Sequence, residues 1–203
     1  GWINSGFDNY LVTPNPKTHR LLTRLAVENL FHPFQPFMIG QKLLAPKVAA
    51  LMDIQLVFYG ENEAEYGNPM DQVKGDKREG KFFTTEDNHI HLGGVAIEEL
   101  QSKYGLQTAD LHHYLPIKDE TIVTKGIEVH YLGYYERWHP QGAYYFAVEN
   151  SGFQPSPERT VGTYSKYNSI DDKIDDLHYY TTFIKFGIGR ATYDAAQEIR
   201  NDE

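Results

Sequence analysis

The chain contains no cysteine, which excludes structural disulfides and thiolate metal sites and fits a cytoplasmic protein. Basic residues are in short supply, with 19 Lys and Arg against 28 Asp and Glu for a net charge of -9. Nonspecific nucleic-acid binding depends on neutralising phosphates with Lys and Arg, so this balance argues against it. Nucleotide binding stays open, because it needs a few local donors rather than a basic surface. Long apolar runs are missing too. With a mean hydropathy of -0.54, no stretch has the length of a membrane span. The longest, such as Leu56-Val57-Phe58-Tyr59, match a buried strand. Repeats and low-complexity tracts are absent, and no basic-then-apolar segment is visible in the residues from Gly1-Trp2 onward. No Walker loop, GxGxxG, HExxH or Ser-His-Asp order occurs.

What is present, 40% hydrophobic residues and 14% aromatics over 203 positions, suffices for the core of one domain, or of one domain with a substantial appendage. Leu21, Leu22, Leu25, Ala26 and Leu30 recur at helical spacing and predict a helix ending near Phe31, before Pro33. The stretch Phe34-Gln35-Pro36-Phe37 reads as a break. A second helix is expected over about 40–52, with Pro46 marking a kink or a new first turn. Residues 54–59 (IQLVFY) then read as a buried strand, followed at once by Gly60-Glu61-Asn62. Helix, buried strand and glycine turn in succession form the unit of a parallel α/β sheet. Ligands of such sheets bind beyond the carboxyl ends of the strands, which places Gly60, Glu61 and Asn62 where a ligand sits.

The polar segment 66–88 reads as an insertion or lid. A short helix follows at about 96–104, and residues 127–135 (IEVHYLGYY) alternate like a strand. Ser169-Ile170-Asp171-Asp172 resembles a cap with acids in the first turn of a helix running to about Phe186. Gly187-Ile188-Gly189 ends that helix, and another begins at Ala191.

Several groups carry chemistry. The Gly60-Glu61-Asn62 turn allows close backbone approach and supplies Glu and Asn to orient a phosphate-bound Mg²⁺ or an attacking nitrogen, although an ordinary strand-to-helix turn has the same composition. His89, His91, His112 and His113 lack a third ligand at metal-binding spacing, so no metal site is assigned. Asp171, Asp172, Asp175 and Asp176 read as favourable charge at a helix start rather than a cation site. Lys166, Lys185 and Arg190, interleaved with Tyr164, Tyr167 and Phe186, fit either an anion clamp backed by aromatics or a solvated face. Tyr131, Tyr134, Tyr135, Trp138, Tyr144 and Tyr145 surround Trp138-His139-Pro140-Gln141. Aromatic faces beside amides suit sugar rings, and the core of a strand pair would use the same residues.

Taken together, WINSGFDN (2–9), THRLLTRLAVENLFHPFQPFMIGQK (18–42), LVFYGENEAEYGNP (56–69), YLGYYERWHPQ (131–141), GTYSKYNSIDDKIDD (162–176) and IKFGIGRATYDAAQEIR (184–200) resemble the N-acetyl sugar amidotransferases of the WbpG/PseA type, proteins of lipopolysaccharide and flagellin-glycan biosynthesis. The resemblance implies a partial nucleotide α-hydrolase-like fold of the PP-loop ATPase type: an α/β, Rossmann-like parallel sheet flanked by helices, with a mainly helical C-terminal part. It divides the chain into the C-terminal part of that domain (1–69), a polar loop or lid (70–95) and a helical, aromatic substrate side (96–203). It further implies ATP with Mg²⁺ and a nucleotide-activated N-acetyl sugar whose acetamido group becomes acetamidino. Ammonia is expected from glutaminase and ammonia-channel subunits resembling those of histidine biosynthesis. The family's SGGxDS phosphate loop does not occur in the 203 residues and is expected upstream of Gly1, so that this segment alone is expected to be inactive.

Carried onto this sequence, the resemblance puts Glu61 and Asn62 in catalysis and Gly60, Gln41 and Lys42 at the nucleotide, the last two at the start of the second helix. Lys185 and Arg190 are expected at a phosphate or sugar carboxylate, and Trp138 and Tyr135 at the sugar. Two other readings remain: a PP-loop ATPase acting on tRNA, which the acidic balance disfavours, and a non-catalytic carbohydrate-binding or scaffold module.

Overall fold

The structure is a computed structural model that describes residues 4–60, 75–80, 83–85 and 90–202. It is a mixed α/β protein with a small parallel sheet. The chain forms two compact units, one spanning Asn15–Trp138 and the other combining Gly1–Pro14 with His139–Glu203. Among the described residues, no helix is long and apolar enough to cross a membrane.

In the Asn15–Trp138 unit, α1 (Pro16–Leu30) starts where the Asn15 side chain accepts the amide of Lys17 and Pro16 supplies a pre-set φ. It buries Leu22, Leu25 and Ala26, the apolar stripe expected from spacing. The next helix, α2 (Gln35–Met52), starts five residues before the expected position. Pro36 sits in its first turn, where a missing N–H costs nothing, so the proline that reads as a breaker opens the helix. Pro46 lies inside the same helix and starts no new one. Strand β1 (Leu56–Tyr59) pairs in parallel with β6 (Glu128–Tyr131), in the register Val57 to Val129 and Tyr59 to Tyr131. Residues 127–135 thus hold a strand only as far as Tyr131, after which a 3₁₀ turn covers Leu132–Tyr134. On the far side of β6, residues 76–78 run antiparallel to it, Arg78 N donating to Val129 O at 2.7 Å and Tyr131 N to Asp76 O at 2.9 Å.

Shorter elements complete the unit: β2 (Thr84–Thr85), β3 (His91–Leu92), β4 (Val95–Ala96), α3 (Ile97–Tyr104), α4 (Thr108–Leu111), β5 (Ile117–Lys118) and α5 (Asp119–Lys125). The β3–β4 hairpin turns at Gly93-Gly94, with φ of 60° and 76°. A Cβ there would lie 2.9 Å from the Leu22 carbonyl oxygen and 2.8 Å from Asn29 Cβ, so α1 can pack against the turn only because both residues are glycine. Two apolar clusters hold the unit together. One packs α2 and α5 on the sheet through Leu43, Ala49, Val57, Phe83, Ile122 and Val129. The other joins α1 to the hairpin and α3 through Leu22, Leu25, Leu92, Leu100 and Tyr114. Of the stretch expected as a lid, Arg78, Phe83, Leu92 and Val95 are buried.

The second unit carries α6 (Pro140–Ser151), α7 (Asp175–Phe186) and α8 (Arg190–Arg200). Pro140, capped by His139 accepting the Gly142 amide at 2.9 Å, makes residues 140–151 a helix, so no strand pair holds Tyr144 and Tyr145. Ser169 does not cap α7, which begins six residues later. Its φ of 51° is left-handed, whereas an N-cap needs extended backbone. Asp172 instead accepts the amide of Ile174 just ahead of the helix.

Candidate functional site

The carboxyl ends of the parallel pair bring Tyr59, Tyr131 and Arg78 together. Tyr59 and Tyr131 stand opposite one another as the last residues of β1 and β6. The Arg78 guanidinium lies 4.3 Å over the Tyr59 ring and 5.2 Å from the Tyr131 ring centroid, and its Nε donates to Tyr131 Oη at 3.2 Å. Arg78 is 6% exposed, so its charge is offset in part by two ring faces, each worth about 1–2 kcal/mol when desolvated. Burial pushes the Tyr59 phenol up to about 12, while the Arg78 charge pulls the other way.

The Tyr59 hydroxyl donates to the backbone carbonyls of Gln41 at 3.0 Å and Lys42 at 2.9 Å. Gly60 follows directly, and a Cβ added there would meet nothing within 4 Å. Three residues expected at the nucleotide, Gly60, Gln41 and Lys42, are therefore gathered around Tyr59. Their geometry corrects one expectation. Because α2 starts at Gln35, Gln41 and Lys42 lie well inside the helix, with their amides in its hydrogen-bond ladder rather than at an open N-terminus. Glu61 and Asn62 lie outside the described residues.

Phe58 and Tyr135 occupy the opposite, exposed face of β1. The Tyr135 ring is edge-on to Phe58 at 5.8 Å, and Phe58 and His130 are 5.7 Å apart. Tyr135 Oη donates to Asp76 Oδ2 at 2.8 Å and lies 2.6 Å from His130 Nδ1, while His130 Nε2 faces Glu128 Oε2 at 3.2 Å. Lys77 Nζ closes the row on Glu128 Oε1 at 2.7 Å. The hydrogen bond from Tyr135 holds the Asp76 carboxyl below its usual range, and Lys77 does the same for Glu128. Trp138 ends the unit, partly exposed. Among the described residues no three His, Asp or Glu side chains converge as metal ligands.

Lys185 and Arg190 belong to the other unit. The Lys185 ammonium lies 5.3 Å from the Phe186 ring centroid. Arg190 Nε approaches Asp194 Oδ1 to 2.7 Å, an ion pair off the line of a hydrogen bond. Its guanidinium also stacks over Tyr179 and Tyr193. Asp194, 5% exposed, accepts in addition from Thr163 Oγ1 and Asn168 Nδ2. Tyr144 and Tyr167 stack at 4.5 Å in the same unit.

Arg78, His130, Asp76 and Asp194 were not singled out by sequence reasoning. Lys77-Arg78-Glu79 reads as part of a polar insertion, and nothing local announces that it runs beside β6. The Arg190–Asp194 spacing of four on a helix was the one visible signal.

Comparison with known proteins adds a match that lies wholly in the second unit. Residues 161–203 fit the family described as LPS biosynthesis protein WbpG-like, C-terminal domain. That span contains α7, α8 and the Thr163–Asp194–Arg190 set. No curated protein matches the chain. The similarity to WbpG-like lipopolysaccharide biosynthesis proteins is thus confined to residues 161–203, about a fifth of the chain.

Proposed function

We propose that the chain is part of an ATP-dependent N-acetyl sugar amidotransferase of the PP-loop ATPase type, working in the cytoplasm on surface-glycan precursors. The observation that carries this reading is the match of residues 161–203 to the WbpG-like C-terminal domain. The parallel pair supports it, because its carboxyl ends hold a fixed cation, two aromatic rings and an open approach at Gly60, a donor set that suits a phosphate-bearing ligand.

In this reading Gly60 lets the nucleotide approach the backbone, Gln41 and Lys42 contribute side chains from α2, and the buried Arg78 adds positive charge from behind Tyr59 and Tyr131. Glu61 and Asn62 orient Mg²⁺ and the incoming nitrogen, while Tyr135, Trp138, Lys185 and Arg190 serve the nucleotide-activated sugar. ATP would adenylylate the acetamido oxygen with release of pyrophosphate, and ammonia from a glutaminase partner would then displace that oxygen as AMP.

The test is to give the product of the complete gene ATP, ammonium and a UDP-linked diacetamido sugar, then follow AMP and product mass. AMP formed in step with replacement of oxygen by NH supports the proposal. No AMP and an unchanged sugar, with sugar binding retained, would replace it with a carbohydrate-binding module.

A further inference from the structure

The row of side chains that ties residues 76–77 to β6 can be counted in protons. Three contacts run along it: Tyr135 Oη to Asp76 Oδ2 at 2.8 Å, Tyr135 Oη to His130 Nδ1 at 2.6 Å, and His130 Nε2 to Glu128 Oε2 at 3.2 Å. Each needs one proton between its heavy atoms. Asp76 and Glu128 supply none, because hydrogen bonds from Tyr135 and from Lys77 hold the two carboxyls below their usual range and so ionised at neutral pH. Tyr135 supplies one, and its bond to Asp76 keeps the phenol protonated. A neutral imidazole supplies one more. The third contact is therefore a hydrogen bond only when both ring nitrogens of His130 carry hydrogen.

We propose that His130 is held as an imidazolium, and that its second proton latches residues 76–78 onto β6 and releases them as pH rises. The surroundings suit a charged ring. His130 is 7% exposed, a depth at which a charge has to be paired. Asp76 Oδ2 lies 3.5 Å from its Nδ1, Glu128 Oε2 faces its Nε2, and the Phe58 ring centroid is 5.7 Å from its own. Lys77, the remaining charged group of the row, sets its ammonium on Glu128 Oε1 at 2.7 Å and leaves Oε2 to His130.

What the latch holds is Arg78. Two backbone bonds continue the attachment, from the Arg78 amide to the Val129 carbonyl and from the Tyr131 amide to the Asp76 carbonyl. They bring the guanidinium over Tyr59 and beside Tyr131. Once the ring gives up its second proton, Nε2 turns a lone pair toward Glu128, and an attraction in the middle of the row becomes a repulsion. The latched state needs that proton and the open state does not, so the latch is closed at lower pH and opens as pH rises. Its acid limit comes from Asp76 and Glu128, whose lowered carboxyls favour the closed state while ionised and cease to do so as falling pH protonates them. Under the function proposed above, opening would withdraw positive charge from the carboxyl ends of the pair. The latch itself rests on no assumption about function.

Two measurements on the purified chain test this. Nitrogen NMR of the imidazole near neutral pH should show both ring nitrogens of His130 protonated. Amide protection at Arg78 and Tyr131, corrected for the intrinsic exchange rate, should fall about tenfold as pH rises from about 6 to about 9, with no matching fall in α1. Glu128→Gln separates a latch from a merely structural contact. Its amide group can donate to Nε2 of a neutral His130 while its oxygen still accepts from Lys77, so the row is complete without a charged ring. Protection in that variant should stay at the latched level across the same pH range. A single protonated nitrogen on His130 near neutral pH overturns the proposal. So does wild-type protection that ignores pH, or a Glu128→Gln chain that loses protection with pH as the wild type does.

Discussion

In the Asn15–Trp138 unit, the side chains most deeply withdrawn from water are mainly apolar, led by Leu22, Leu92, Leu100, Leu111 and Tyr131. In the unit that matches the WbpG-like domain they are Thr163, Ser165, Thr181 and Asp194. The first is a conventional two-cluster core whose stability scales with area removed from water. The second is organised around a carboxylate and turns its hydrophobic residues outward. A polar centre is worth little net when satisfied and much when broken, because the cost of an orphaned group exceeds the gain of a made bond. The two units should therefore fail in different ways. One loses stability methylene by methylene, the other through the loss of single partners.

The largest effect should come from the apolar side. Leu22→Ala removes a fully buried side chain from the cluster that joins α1 to the hairpin and should cost about 4 kcal/mol. Phe146→Ala in the other unit removes a larger, exposed ring and should stay within about 0.5 kcal/mol. Denaturant melts followed by exchange of amides within each unit would check the pair. Comparable losses would mean that the second unit has an apolar core after all.

Next in size is the polar counterpart. Asp194→Ala leaves Thr163, Asn168 and Arg190 facing an empty site and should cost about 3 kcal/mol. The loss should appear as faster amide exchange in α8 and at Ala191, whose N–H donates to the Gly162 carbonyl, with no change at α1. Asp194→Asn should recover part of it by keeping an acceptor for Thr163. Wild-type exchange in Asp194→Ala would refute the view of a unit held from its polar centre.

Arg78→Lys comes third, since an ammonium cannot lie flat between the Tyr59 and Tyr131 rings or reproduce the Nε bond. About 2 kcal/mol is expected. Its signature is local, a loss of protection at the Tyr131 amide, which donates to the Asp76 carbonyl. Unchanged protection would show that residues 76–78 are held to β6 by the backbone alone.

These same residues show what a sequence can reveal. The stripe of α1 and the Gly187–Gly189 break between α7 and α8 are periodic or punctuated locally and appear where spacing puts them, whereas the strand expected as buried over 54–59 starts only at Leu56 and buries one face, leaving Leu56 and Phe58 half exposed. Errors arose where one residue type has two meanings. Pro36 opens a helix instead of ending one, and Ser169 enters a left-handed turn instead of capping. At the candidate site, local pattern marks Gln41 and Lys42, whose backbone carbonyls accept from Tyr59, but Arg78 reaches Tyr59 from 19 positions along the chain through pairing that no local pattern encodes.

The smallest effect follows from pH. Burial first, and for Tyr59 against the pull of Arg78, raises the Tyr59 and Tyr114 phenols from 10.0 to about 12. A phenol whose folded value is raised favours the fold in its protonated form. That contribution is complete below pH 10, where neither state ionises, and is lost as pH climbs toward 12, because the unfolded chain ionises first. Each tyrosine should therefore subtract about 1 kcal/mol by roughly pH 11. Tyr59→Phe and Tyr114→Phe should each flatten this alkaline slope for the Asn15–Trp138 unit. They act on different elements, since Tyr59 bonds to the α2 carbonyls and Tyr114 lies 2.8 Å from His19 Nδ1 on α1, so their effects should add. Tyr164 in the other unit is also raised, by burial and then by its bond to Glu198, and its share of the slope should survive both substitutions. If the double variant lost the slope for both units, the two would be unfolding as one cooperative body, and the contrast between their interiors would have no thermodynamic counterpart.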